Sequence, residues 1–188
     1  MIADRPEAVV IGASAGALEA LSAILPALQG GFSLAVMVVV HVPPDKRSIL
    51  PELFQAKCRL PVREAEDKEP ISRGTVYFAP PDYHLLVEAD KSLSLSSDEP
   101  VLFSRPSIDV LFESAADAYG AALIGIVLTG ASRDGARGIR AVAEAGGVAL
   151  VQDPKEAFAS TMPEAAIGMC PGARVMSVSA IAAYLQKV

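Results

Sequence analysis

Continuous apolar runs mark the strands of this chain. Residues 9–11, 34–40 (LAVMVVV), 121–128 (AALIGIVL) and 148–151 show no polar alternation, so each reads as a strand buried on both faces. Between them apolar positions recur at helical spacing. Helices are expected over residues 17–28, 47–57, from Pro106 to about Tyr119, from the loop at 129–135 to about Ala145, over 163–169 and over 179–187. Gly30-Gly31, Gly120 and Gly146-Gly147 act as stops. A last strand is expected at 174–178 and a short edge strand at 60–62, followed by a charged loop over 64–69. Residues 70–100 differ: short β-prone runs at 75–79, 84–87 and 92–96 are broken by turns at Pro80-Pro81-Asp82 and Ala89-Asp90-Lys91. The expected fold is α/β, a doubly wound, mostly parallel sheet with a small antiparallel hairpin excursion. All 188 residues are expected to form one domain without internal repeats.

Composition sharpens this picture. Hydrophobic residues make up 52% of the chain and aromatics only 5%, so the core is chiefly aliphatic, as parallel strands under helices require. The net charge is −6 and no basic stripe occurs, which argues against nucleic acid and anionic membrane as partners. Cys58 and Cys170 have no metal or redox spacing and read as reduced packing thiols of a cytoplasmic protein. Asp4, Arg5 and Glu7 precede the first apolar run, so no signal peptide is expected. No apolar run approaches the ~20 residues of a membrane span.

The chemistry gathers at strand exits. Residues 8–16, AVVIGASAG, read as strand, tight glycine-bounded turn and helix start, with Ser14 at the turn. Three readings fit that stretch alone. It is the geometry of a nucleophile elbow, whose following N–H groups can hold an oxyanion. It can cradle a dinucleotide pyrophosphate on Gly12, Ser14 and Gly16. It can also be a structural turn, with Ser14 an N-cap. His41 then stands just past the second strand, and Asp134 lies in the loop leaving the 121–128 strand. In a parallel sheet all carboxyl ends share one rim, so topology alone brings serine, histidine and aspartate together. Such a set serves as nucleophile, base and orienting carboxylate. Each residue also has a bland reading: His41 as a surface residue, Asp134 as a helix N-terminal acid. The dinucleotide reading weakens here, because His41 takes the place where an acidic residue would hold ribose hydroxyls.

The segments VVIGASAGALEAL, VVVHVPP, VYFAPPDYH, RPSIDVLFESAA, VLTGASRDGARG and TMPEAA follow one another in that order. Together, from about Ala8 to Leu185, they resemble the catalytic domain of the chemotaxis methylesterase CheB family. That resemblance implies a doubly wound α/β fold with a Ser-His-Asp triad matching Ser14, His41 and Asp134. It implies hydrolysis of γ-glutamyl methyl esters on chemoreceptor helices, with release of methanol through an acyl-serine, and in some members deamidation of receptor glutamines. Water is the second substrate and no cofactor or metal is implied. Methylated chemoreceptor helices and a chemotaxis methyltransferase are the implied partners.

Departures from the family pattern affect the pocket more than the triad. The elbow reads Ser14-Ala15-Gly16-Ala17 where the family usually has Ser-Thr-Gly-Gly. The third loop reads Thr129-Gly130-Ala131-Ser132-Arg133-Asp134-Gly135 where Thr-Gly-Met-Gly-x-Asp-Gly is usual. Ala15, Gly16 and Ala131 are the expected oxyanion and substrate-binding positions. His84 matches a rim motif and is either a site residue or structural. Arg105 either faces substrate or pairs with a surface acid, and Met162 with Pro163 shapes the rim. Only seven residues precede the first strand, so the phosphorylation-receiver domain of typical relatives is expected to be absent.

Overall fold

A computed structural model describes residues 5–43 and 45–188. Asp4, used above to argue against a leader, and Pro44, in the loop after the second strand, lie outside the described residues. The strands are β1 (Ala8–Ala13), β2 (Ala35–Val40), β3 (Val62–Glu64), β4 (Val76–Phe78), β5 (His84–Val87), β6 (Leu93–Ser96), β7 (Leu123–Val127), β8 (Val148–Gln152) and β9 (Arg174–Met176). The helices are α1 (Ala17–Ile24), α2 (Leu50–Gln55), α3 (Ile108–Tyr119), α4 (Ala136–Glu144), α5 (Thr161–Met169) and α6 (Val178–Leu185).

Seven strands form one sheet in the order β3-β4-β2-β1-β7-β8-β9, and every pairing is parallel. The chain lays β2, β4 and β3 on one side of β1, with β3 at the edge, and then returns to the other side of β1 with β7. The strand order therefore reverses at β1, which is where open α/β sheets bind ligands. Register sets the rim level: Ala13 pairs with Val40, and Gly12 with Val127. The residues leaving β1, β2 and β7 thus emerge side by side.

Alternation along β1 divides the core. Val9, Ile11 and Ala13 pack with Leu21 and Ile24 of α1 and Ile181 of α6. Ala8 and Val10 pack on the other face with Phe112 of α3, Ile139 of α4 and Met162 of α5. Ile11, Leu21, Ile24, Met37 and Phe112 are all fully buried. Each such side chain contributes roughly 1.5–3 kcal/mol by leaving water, so both helical layers are firmly seated. Cys58 and Cys170 are free thiols, half-buried and buried respectively. No helix among the described residues is long and apolar enough to cross a membrane.

Four local expectations need correction. The run at 75–79 is not part of the antiparallel excursion. Its residues 76–78 form β4, buried and paired in parallel between β3 and β2, while the antiparallel hairpin is β5-β6 alone. The edge strand lies at 62–64 rather than 60–62. Helix α1 stops at Ile24 and tightens into a 3-10 turn over Leu25–Ala27, because Pro26 has no N–H to continue the α-helical ladder. Pro106 lies outside α3: Ser107 is the N-cap and accepts a hydrogen bond from the Val110 N–H.

Candidate active site

The turn after β1 is pinned on both sides. The Ser14 N–H donates to the Thr129 carbonyl at 2.9 Å, and the Ala17 N–H donates to the Ser14 carbonyl at 2.9 Å. Gly16 has φ +84°, a left-handed conformation that glycine adopts without cost. A Cβ on Gly16 would stand 2.6 Å from the Cβ of Phe158. Gly130 is required by close approach: a Cβ there would stand 3.0 Å from the Ser14 Cβ and 2.6 Å from the Met162 Cε. Ser14 is partly buried, and its hydroxyl forms no hydrogen bond among the described residues.

His41 continues β2 alongside this turn. Its N–H donates to the Ala13 carbonyl at 3.2 Å, so its backbone is bonded to the residue preceding Ser14. Its ring Nε2 lies 2.8 Å from Asp134 Oδ2. Asp134 is fully buried and accepts three further hydrogen bonds. They come from the Ser107 hydroxyl at 2.9 Å and from the N–H groups of Ile108 at 2.7 Å and Asp109 at 2.9 Å. The last two are free amides at the start of α3, whose partial positive charge suits an anion.

Burial by itself raises the Asp134 pKa, but the bonds from His41 and from the Asp109 and Ile108 amides outweigh it and hold the carboxyl below its usual range. An ionised carboxylate only accepts, so His41 Nε2 carries the shared proton. The other ring nitrogen, Nδ1, makes no hydrogen bond among the described residues and is the one left to act as a base.

The structure therefore joins His41 and Asp134 directly. It sets Ser14 beside them on the neighbouring strand exit without a hydrogen bond between hydroxyl and imidazole. The N–H groups of Ala15, Gly16 and Ala131 have no hydrogen-bond acceptor among the described residues. A hollow of about 390 Å³ lies against Ser14 and is walled by Leu18, Val42, Ile49 and Leu50. A second, of about 260 Å³, lies against His41 and includes Asp82, Arg105 and Pro106. Larger hollows elsewhere touch neither Ser14 nor His41.

The remaining expected residues serve the frame around this centre. His84 is buried; its Nε2 bonds the Glu99 carbonyl at 3.0 Å and its Nδ1 accepts the Ser107 N–H at 3.1 Å. Arg105 pairs with Asp82 at 2.6 Å and donates to the carbonyls of Ser97 and Asp98. Met162 is fully buried beneath Gly130. Among the described residues no group of three or more His, Cys, Asp or Glu side chains could hold a metal ion.

Sequence reasoning missed Ser107, Asp109, Thr129 and Gln152. The buried Thr129 N–H donates to Gln152 Oε1 at 2.8 Å, and the Thr129 hydroxyl donates to the Ala15 carbonyl at 2.8 Å. Asp109 is buried and accepts from the N–H groups of Gly135 at 3.0 Å and Gly138 at 2.7 Å. Burial pushes its pKa up to about 6; the Gly138 amide opposes this and the Asp134 charge adds to it. A serine ahead of an amphipathic helix signalled the Ser107 cap. Nothing local signals that Asp109 turns to a different helix.

The model of the family described as CheB methylesterase matches residues 9–185. The chain belongs to the CheB methylesterase family. Its fold agrees with the crystal structure of the Thermotoga maritima CheB methylesterase catalytic domain at TM-score 0.92 and 31% identity, over 97% of this chain and 98% of that one. A Leptospira interrogans protein, provisionally named protein-glutamate methylesterase/protein-glutamine glutaminase, is 46% identical over 176 residues, covering 94% of this chain and 91% of its own. A Rhodospirillum rubrum protein-glutamate methylesterase/protein-glutamine glutaminase is 38% identical, and there the matched region is 97% of this chain but 48% of the relative. The CheB match runs from β1 into α6 and so takes in all the strand exits around Ser14.

Proposed function

We propose that this CheB-family esterase hydrolyses γ-glutamyl methyl esters on chemoreceptor helices, with Ser14 as nucleophile, His41 as base and Asp134 as orienting carboxylate. The 2.8 Å bond between His41 and a buried, ionised Asp134, beside the Ser14 turn, is the observation that carries the reading.

His41 Nδ1 takes the Ser14 proton as Oγ attacks the ester carbonyl, and the Nε2–H stays on Asp134, which stabilises the imidazolium. The N–H groups of Ala15 and Ala131, which have no acceptor among the described residues, receive the developing oxyanion. The imidazolium returns its proton to the departing methoxide and methanol leaves. Water, deprotonated by the same nitrogen, then releases glutamate from the acyl-serine. A glutamine γ-amide follows the same course with ammonia as leaving group. The substrate esters are those a chemotaxis methyltransferase installs, and the reaction belongs in the cytoplasm.

The test is methanol release from methylated receptor membranes by wild type and Ser14→Ala. The variant is expected to lose on the order of 10⁴-fold or more in rate. Equal rates would overturn the serine mechanism.

A further inference from the structure

We propose that the Leu102-Phe103 turn is a docking prong that recognises the polypeptide carrying the ester. The inference rests on the esterase reading and deepens it by naming a specificity-determining residue.

The segment between β6 and α3 narrows to a two-residue hairpin. The Val101 N–H donates to the Ser104 carbonyl at 3.0 Å and the Ser104 N–H to the Val101 carbonyl at 2.9 Å. The two residues at the tip have φ +48° and +65°. Hairpin turns with two positive φ values favour Asn-Gly, because a Cβ is strained there. This tip instead carries a leucine and a phenylalanine. Phe103 is fully exposed and Leu102 about half exposed. The strained backbone costs the folded chain stability, and the exposed Phe103 ring gains nothing from burial to offset it. Such an outlier points to a function outside the fold.

The position says what that function acts on. Phe103 and His41 line the same hollow of about 260 Å³. An ester reacting at Ser14 and His41 brings its parent polypeptide across that hollow, and hence against Phe103. The tip is held firmly for this task. Arg105 ties its outgoing arm to Asp82 and to the carbonyls of Ser97 and Asp98, and His84 clamps Glu99 to Ser107. The occupant is the receptor helix that carries the ester, presenting an apolar side chain beside the esterified glutamate on the His41 side of the site. Phe103 seats on that apolar position while the ester enters between Ser14 and His41.

The test pairs Phe103→Ala with the double variant Leu102→Asn/Phe103→Gly, which restores the residues that the turn favours. Two substrates are compared: a methylated chemoreceptor cytoplasmic fragment and the small ester N-acetylglutamate γ-methyl ester. The double variant is expected to melt a few degrees higher than wild type, since the strain is relieved. On the receptor fragment both variants should raise KM at least tenfold with kcat retained, and on the small ester kcat/KM should stay within about twofold of wild type. An unchanged receptor KM overturns the inference. Equal losses on both substrates also overturn it, by assigning the turn to catalysis. A changed sedimentation coefficient with unchanged KM overturns it by assigning the turn to self-association. Failure of the wild type itself on both substrates instead removes the esterase reading beneath it.

Discussion

Asp134 and Asp109 each accept the N-terminal amides of the helix that follows or carries the other. Asp134, just ahead of α4, accepts from Ile108 and Asp109 at the start of α3, and Asp109, in the first turn of α3, accepts from Gly135 and Gly138 at the start of α4. The two carboxylates thus lock two helix ends together, and the His41 partner is built into that lock. Gly138 permits it: a Cβ there would stand 2.6 Å from the Phe112 Cβ.

This lock makes stability depend on pH in two opposed ways. The Asp109 pKa is raised from 3.8 to about 6. The folded chain therefore holds an extra proton between those values, and raising the pH through that window costs stability. The contribution is on the order of 2–3 kcal/mol if the whole shift is realised. Asp109→Asn keeps a carbonyl oxygen for Gly135 and Gly138 but cannot titrate. Denaturant unfolding at pH 4.5 and pH 7 should show this contribution in wild type and lose it in Asp109→Asn. An identical difference in both proteins would place the titration elsewhere.

Asp134 acts in the other direction. Its folded pKa is lowered, so its contribution is complete above the ordinary aspartate value and is lost as the pH falls toward and below the folded one. Asp134→Asn leaves a neutral amide at the seat of four donors and removes the charge that opposes the imidazolium. Methanol release should fall on the order of 10⁴-fold, and the melting temperature should drop as well. A folded Asp134→Asn protein with near wild-type turnover would remove Asp134 from the mechanism.

Much of this was legible in the chain itself, for a physical reason. Strands such as 34–40 and 121–128 are buried on both faces, so they appear as unbroken apolar runs, and parallel topology then sends Ser14, His41 and Asp134 to one rim. Three short apolar residues at 76–78 carry no such signature. A hairpin strand and a buried parallel strand of that length look alike, and neighbours distant in sequence decide between them. The pairing of Asp109 with Gly135 and Gly138 was hidden for a related reason. An acid in a first helical turn already has a sufficient local role beside its own helix dipole. Only the packing of α3 on α4 assigns it to the other helix.

The elbow itself is open to a stability test. Gly16 has φ +84° and its missing side chain makes room for Phe158. Gly16→Ala meets both the left-handed penalty and the clash, so a loss of roughly 1–3 kcal/mol is expected. The double variant Gly16→Ala/Phe158→Gly removes the Phe158 Cβ that would stand 2.6 Å away and leaves the backbone cost. Its stability, compared with the two single variants, measures the coupling between the sites. Additive losses would show that the Phe158 contact does not constrain the turn.

Thr129 links the third strand exit to the elbow. Its N–H is held by Gln152, and its hydroxyl donates to the Ala15 carbonyl and accepts from the Ala159 N–H at 3.0 Å. Thr129→Val keeps the shape and removes both hydroxyl bonds, a change expected to cost roughly 1–3 kcal/mol because buried polar groups lose their partner. It also frees Ala15, whose N–H is proposed to meet the oxyanion, so kcat should fall about tenfold or more while KM stays near its wild-type value. Thr129→Ser keeps the oxygen and should restore kcat. If Thr129→Val loses stability but keeps full kcat at temperatures well below its melting point, the hydroxyl supports the fold alone and Ala15 is positioned by the Ser14 and Gly16 backbone.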